Sequence, residues 1–232
     1  METHVTPGWQ AELLIDEGRS PLTPEPFPHI VLDGEWPHDR LYRALLEVLR
    51  LRTDRPDAWQ VYSNAREGKR AMTFAQAREL GATHVGEMGD MLADPDWIEM
   101  LEQITGLSGL SFDDLGGGVH LIEPGGFLGV HVDFNRHDDG RYRRINVLVY
   151  LNDTDASGEL ELWADEHSGP VAVVRPAFNR TAIFLTGETS WHGHPKPLTG
   201  TSPRCSLAAY YYTAEPPPAV ADPHSTIFLE DV

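Results

Sequence analysis

The chain has 232 residues, 41% of them hydrophobic and 23% charged, which is the balance of a soluble globular protein long enough for one sizeable core. Its formal net charge of -18 argues against nucleic acid and anionic membranes as partners, since both would repel it. The single cysteine, Cys205, excludes an intramolecular disulfide framework, and with no secretory signal and no run of about 18 apolar residues in view a cytoplasmic setting is expected.

Residues 1–26 carry Pro7, Gly8, Pro21, Pro24 and Pro26 with few apolar positions in register, and read as an N-terminal arm. FPHIVLDG (27–34) alternates apolar and polar residues as a strand does. After Pro37, the residues Leu41, Ala44, Leu45, Val48 and Leu49 recur at helical spacing. AWQVYSN (58–64) reads as a strand, followed by a polar loop through Gly68, Lys69 and Arg70. Thr73 and Gln76 have capping-box spacing and open a short helix, TFAQAREL. Asp94-Pro95 pairs a capping residue with a proline at the first helical position, and Gly106 is placed to stop that helix. The first half therefore predicts a helical support layer over 27–115.

From Gly116 the texture changes. The three glycines 116–118 are expected to form a turn, and Asp113-Asp114 before them to face solvent. Eight short β-type runs follow: VHLIE, GVHVDFN, RINVLVYL, GELELWA, VAVVR, TAIFLT, SWHGH and CSLAAYYYT. Strands at this spacing suggest a sandwich or barrel. Pro216-Pro217-Pro218 ends the last of them, leaving 216–232 as a C-terminal tail. The expectation is one domain over 27–232, mostly β with helices packed against the β core at 116–215.

The chemistry gathers in this second half. His131 and Asp133 are two residues apart on a strand and so share a face. A distant histidine would complete a two-histidine, one-carboxylate set with open positions opposite, the set associated with non-heme Fe(II) oxygenases. His192 and His194 are again i and i+2, so either could face inward; His192 is favoured, with His194 nearer the surface or behind the ligands. Arg204 and Ser206 share a face of the last strand, with Cys205 turned away. An arginine beside a hydroxyl can hold a carboxylate through charge-assisted bonds, such as the distal carboxylate of 2-oxoglutarate. His137 and Asp138-Asp139 read as a solvated loop, and His120 as a packed strand histidine. Cys205 has no local partner for nucleophilic work.

Taken together, His131-Val132-Asp133, RRINVLVYLN (143–152), GELELW (158–163), His192 and RCSLAAYYYT (204–213) resemble, in order and spacing, the Fe(II)/2-oxoglutarate-dependent dioxygenases of the prolyl 4-hydroxylase-like group. The resemblance implies a double-stranded β-helix (jelly-roll, cupin-like) core. It also implies iron ligation by His131, Asp133 and His192, and a co-substrate anchor at Arg204. Tyr150 stands where that group often places a tyrosine bonding the same carboxylate, and Ser206 is a further candidate there. Tyr210, Trp163 and Phe134 are candidates for the substrate wall. The implied cofactors are Fe(II), 2-oxoglutarate and O2, with ascorbate as a reductant.

The implied activity is hydroxylation of an unactivated C–H bond, releasing succinate and CO2. Alternatives on the same site are desaturation, epimerisation or cyclisation, and hydroxylation of peptidyl proline; outside this chemistry stands a jelly roll that binds a metal or sugar without turnover. Asp133, where a halogenase would have glycine or alanine, argues against halogenation. The absence of a separate peptide-binding module favours a small-molecule or carrier-linked substrate, amino-acid-derived among others. Residues 58–72 are expected to form a lid carrying specificity through Arg66, Lys69 and Arg70. Oligomeric state is left open.

Overall fold

The structure is a computed structural model that describes residues 21–155, 157–219 and 222–229, and of Asp114 the backbone alone. The arm expected at 1–26 therefore lies largely outside the described residues, although Thr23 bridges to His29.

Two antiparallel sheets face each other. The larger has the order β1-β9-β6-β11-β4-β3-β2, built from β1 (His29–Asp33), β9 (Arg180–Leu185), β6 (Tyr142–Tyr150), β11 (Arg204–Thr213), β4 (Ser111–Ile122), β3 (Gly68–Met72) and β2 (Gln60–Ser63). The smaller has the order β12-β5-β10-β7-β8, built from β12 (Ile227–Phe228), β5 (Leu128–Val132), β10 (Trp191–His194), β7 (Leu160–Trp163) and β8 (Pro170–Val174). With neighbours so far apart in sequence, the two sheets make the double-stranded β-helix that the strand pattern and the resemblance implied.

Four helices cover the outer face of the larger sheet: α1 (His38–Asp54), α2 (Phe74–Glu79), α3 (Thr83–Leu92) and α4 (Pro95–Thr105). The period-2 geometry of a strand divides the labour between the faces. On β11, Cys205, Leu207, Ala209 and Tyr211 join the helices in the main core, together with Val119, Leu121, Ile145, Val147 and Val149. The alternate residues Arg204, Ser206 and Tyr210 turn inward and line a cavity between the sheets. The same β11 backbone thus stabilises the fold on one side and presents polar groups on the other.

Local signals explain several boundaries. The Thr73 hydroxyl accepts from the Gln76 N–H and the Gln76 side chain accepts from the Thr73 N–H, so the capping box forms as read. Asp94 caps α4, and Gly106 ends it in the left-handed region at φ 70°.

Four expectations need correction. Gly116–Gly118 is not a turn but lies within β4, where Gly116 and Gly118 take positive φ and the register against β11 shifts between Ala208 and Tyr210. This is a bulge that only glycine tolerates, because a Cβ on Gly118 would meet the Met72 carbonyl. Gly68, Lys69 and Arg70, expected in a polar loop, belong to β3, which is paired to β4 at Arg70–Leu121 and Ala71–His120. Asp113 is half-buried and holds the Arg141 guanidinium at 2.7 Å. The tail contains β12, which adds to the edge of the smaller sheet by pairing Ile227 with Val132 and Phe228 with His131.

Candidate active site

β5 and β10 are adjacent, with His192 paired to His131. One ligand atom from each of His131, Asp133 and His192 lies within 4.8 Å of the others, which is the spacing of a set that could hold one metal ion. His131 Nε2 stands 3.6 Å from Asp133 Oδ1, and His192 Nε2 stands 3.5 Å from Asp133 Oδ2.

The far side of each ring fixes its orientation. His131 Nδ1 is 2.8 Å from the Gly129 carbonyl and His192 Nδ1 is 2.8 Å from the Ser190 carbonyl. A carbonyl can only accept, so Nδ1 carries the proton in both rings and each Nε2 lone pair faces the common centre. Burial, reinforced by the neighbouring His131, pushes the His192 imidazole down to about 4. Burial alone would push the Asp133 carboxyl up, but the Arg143 guanidinium and the two imidazoles outweigh it and hold Asp133 well below the usual carboxylate range. A neutral His192 imidazole and an ionised Asp133 carboxylate are protonation states that a divalent metal requires. The donor set fits Fe(II).

Asp133 is held in turn. Asn146 donates to its Oδ2 at 2.7 Å, Arg143 lies 3.2 Å from the same oxygen, and Arg143 Nε donates to Asn146 Oδ1 at 2.9 Å. The Arg143 guanidinium lies 3.6 Å from the Tyr210 ring centroid and 4.8 Å from that of Phe134. This network was not read from the sequence. Strict alternation along β6 would put Arg144 with Asn146, Leu148 and Tyr150 on the inward face, but a register shift between Tyr211 and Tyr212 turns Arg143 inward and leaves Arg144 bonding Thr213. Asn146 itself was already on the inward face and could have been found as a buried amide beside a charged site.

The three residues sit in a cavity of about 230 Å³, and Arg204, Ser206, His194, His120 and Lys69 also line it. Arg204 is buried, and its Nη2 donates to the Tyr150 hydroxyl at 3.1 Å. Its Nε is buried without a hydrogen-bond partner, and no carboxylate pairs with it among the described residues. A buried guanidinium without a counter-charge is costly, and a carboxylate on a ligand would supply both the charge and the missing acceptor. The co-substrate's distal carboxylate fits that place. His194, expected either nearer the surface or behind the ligands, is buried at 3% exposure and faces the same cavity, which excludes the first of the two. His120 bonds the Gly116 carbonyl at 3.1 Å and also reaches the cavity.

Of the wall candidates, Phe134 and Tyr210 line the cavity and Trp163 does not. Trp163 packs on the other face of the smaller sheet with Val130, Val132 and Trp191, because alternation on β7 points Leu160 and Leu162 inward instead. On the hairpin formed by β2 and β3, Tyr62, Glu67 and Lys69 reach the cavity. Arg70 faces away toward Glu123, and Arg66 lies over the Phe228 ring. Phe228, which the sequence reading missed, stacks 5.2 Å from the His131 ring and closes one wall. His137 bonds Asp139 at 3.0 Å in a half-buried loop, and His131, Asp133 and His192 form the one metal-capable group among the described residues.

A jelly roll with two histidines and an aspartate at its centre is the arrangement associated with non-heme Fe(II) oxygenases. Residues 117–212 match the model of the 2OG-Fe(II) oxygenase superfamily, the wider group to which the sequence resemblance pointed. The cofactors of that superfamily are Fe(II) and 2-oxoglutarate, with O2.

Solved structures agree on the fold. A prolyl-4-hydroxylase from Pseudomonas putida is 21% identical, with 88% of this chain and 98% of that chain covered at a TM-score of 0.54. A prolyl 4-hydroxylase from Phytophthora capsici is 18% identical, with 88% and 62% covered at 0.57. The non-heme alpha-ketoglutarate-dependent epimerase SnoN from nogalamycin biosynthesis is 16% identical, with 93% and 92% covered at 0.59. No curated protein matches the sequence. No helix among the described residues is long and apolar enough to cross a membrane.

Proposed function

We propose that this protein is an Fe(II)- and 2-oxoglutarate-dependent hydroxylase that acts on an unactivated C–H bond of a small or carrier-linked, amino-acid-derived substrate. The observation that carries this reading is one cavity with a three-residue metal-capable set at its centre and an unpaired, buried Arg204 beyond it. When bound, Fe(II) activates O2 and couples oxidation of 2-oxoglutarate to succinate and CO2 with insertion of one oxygen atom into the substrate C–H bond.

The chain's own residues would do the rest. His131, Asp133 and His192 hold the metal through Nε2, a carboxylate oxygen and Nε2. Arg204, with Tyr150 or Ser206, orients the co-substrate by its distal carboxylate. Phe134, Tyr210 and Phe228 exclude water and shape the approach of the substrate. At about 230 Å³ the cavity falls below the roughly 300–1,000 Å³ of pockets that bury drug-sized ligands, which suits the co-substrate plus one small group.

Peptidyl proline is the second reading, supported by the likeness to prolyl hydroxylases, since a single proline ring is a group of that size. Epimerisation, the activity of the structurally similar SnoN, would use the same metal set.

Anaerobic titration with Fe(II) and then 2-oxoglutarate tests the co-substrate assignment. A weak visible charge-transfer band is expected, and its absence in intact protein would refute the assignment. Succinate release and product analysis with free amino acids, carrier-linked residues and proline peptides then separate the substrate readings.

A further inference from the structure

The co-substrate end of the cavity contains a group that neither the metal set nor Arg204 accounts for. His194 follows His192 by two residues on β10 and shares its inward face. The register against β5 shifts there, so His192 pairs with His131 but His194 with Leu128. Between them Gly193 presses against β5 so closely that a Cβ would stand 2.7 Å from the Gly129 carbonyl. That close approach carries the His194 ring into the interior.

Inside, the ring makes no hydrogen bond of full geometry, the Lys196 backbone being the one polar group among the described residues placed to approach it. Both Nδ1 and Nε2 of His194 are buried without a hydrogen-bond partner. A buried imidazole left this way bears a desolvation cost that an apolar side chain would avoid. Arg204 Nε is orphaned in the same way, and both residues line the one cavity. Two unsatisfied buried donors facing a common space point to an acceptor that a ligand brings.

Resting on the hydroxylase reading above, we propose that His194 is a co-substrate-binding residue that donates its N–H to the carboxylate held by Arg204 and Tyr150. A carboxylate offers about four acceptor sites, and the Arg204 fork fills no more than two of them. With no full hydrogen bond from either nitrogen to the protein, the ring can present an N–H to the bound ligand. The consequence is selectivity: His194 helps to recognise a 2-oxo acid that carries a second carboxylate.

The test compares 2-oxoglutarate with 2-oxovalerate, which keeps the chelating end and lacks the distal carboxylate. Each is titrated anaerobically into wild type, His194→Leu and His194→Gln at saturating Fe(II), with the charge-transfer band as the readout of Kd. Loss of one hydrogen bond to a charged group predicts a roughly ten- to hundred-fold weaker 2-oxoglutarate Kd in His194→Leu. His194→Gln, which retains an N–H donor, should recover most of it, and the Kd for 2-oxovalerate should be the same in all three proteins.

Unchanged 2-oxoglutarate affinity in His194→Leu, or an equal loss for both acids, would overturn the proposal while leaving the hydroxylase reading intact. Failure of wild type to bind 2-oxoglutarate would instead sink that reading, and the role of His194 with it. Should the leucine variant not fold, His194→Ala carries the same comparison.

Discussion

Asn146 donates to Asp133 Oδ2 at 2.7 Å while Arg143 approaches the same oxygen at 3.2 Å, so one carboxylate oxygen is taken by the protein and Oδ1 is the less committed one. The pair also decides the charge of the site. Without the Arg143 guanidinium, burial would favour a protonated Asp133, a poor metal ligand. Replacing Asn146 by Ala removes the shorter bond and loosens the carboxylate. Removing such a support costs about 10–100-fold in metal affinity, and the loss should appear in the Fe(II) Kd, with turnover partly restored at high Fe(II). An unchanged Fe(II) Kd would mean that Arg143 alone suffices.

Asp133→Asn tests the ligand and not its support. It keeps the shape, removes the charge, and leaves the buried Arg143 without its counter-ion. Turnover should fall to background and Fe(II) binding should weaken by at least about tenfold. Full turnover in this variant would be incompatible with metal ligation by Asp133.

His120 predicts a pH effect on stability. Burial, with Lys69 second, pushes its imidazole down to about 3 in the folded chain, against roughly 6.5 when unfolded. Because the folded value is the lower one, the unfolded chain takes up the proton first as pH falls. The contribution is therefore fully present above about pH 6.5 and is lost as pH falls toward 3, at a limiting slope of about 1.4 kcal/mol per pH unit. Urea unfolding of the metal-free protein at pH 7, 5 and 4 should show a shallower decline in His120→Gln than in wild type. Parallel declines would show that His120 titrates normally.

The strand at Ile227–Phe228 is held by backbone pairing to β5, by the bond from Leu229 N–H to the Val130 carbonyl, and by the contact of His224 with Glu188 at 2.9 Å. Phe228 contributes a wall to the site and no ligand atom. Phe228→Ala should leave the Fe(II) Kd unchanged, cost roughly 1 kcal/mol for a half-buried ring, and raise the share of 2-oxoglutarate consumed without product. Equal coupling in variant and wild type would remove the strap from the working site.

Gly118 is a test of the fold alone. Alanine there would have to adopt φ near 93° and place a Cβ against the Met72 carbonyl. Unfolding by urea should report a loss of about 2–4 kcal/mol. A neutral substitution would mean that β3 and β4 can move apart without penalty.

What the sequence revealed and what it hid share one physical cause. Regular strands announce their faces, so His131 with Asp133, and Arg204 with Ser206, could be placed from period-2 alternation alone. Bulges break that period. The glycines at 116–118 resemble a turn because turns and bulges both need positive φ, and strict alternation points to Arg144 where Arg143 is found because one residue is skipped opposite Tyr211 and Tyr212. Helix α3 escaped notice for a related reason. Its Gly86 and Gly89 lower helix propensity, yet a Cβ at Gly89 would stand 2.7 Å from the Phe74 ring, so tertiary packing requires the small residue. β12 has two residues and no alternation to read, although it supplies a wall of the site. His194 could not be assigned between the surface and a place behind the ligands, because i and i+2 histidines are equivalent on a strand until the register of the neighbouring strand is known.

The most direct measurement is a crystal structure with Mn(II) and N-oxalylglycine, an inert analogue of 2-oxoglutarate. One ion is expected about 2.0–2.2 Å from His131 Nε2, His192 Nε2 and an oxygen of Asp133, with the distal carboxylate of the analogue on Arg204. An ion bound elsewhere, or an analogue whose distal carboxylate points away from Arg204, would contradict the assignment of this cavity as the oxygenase site.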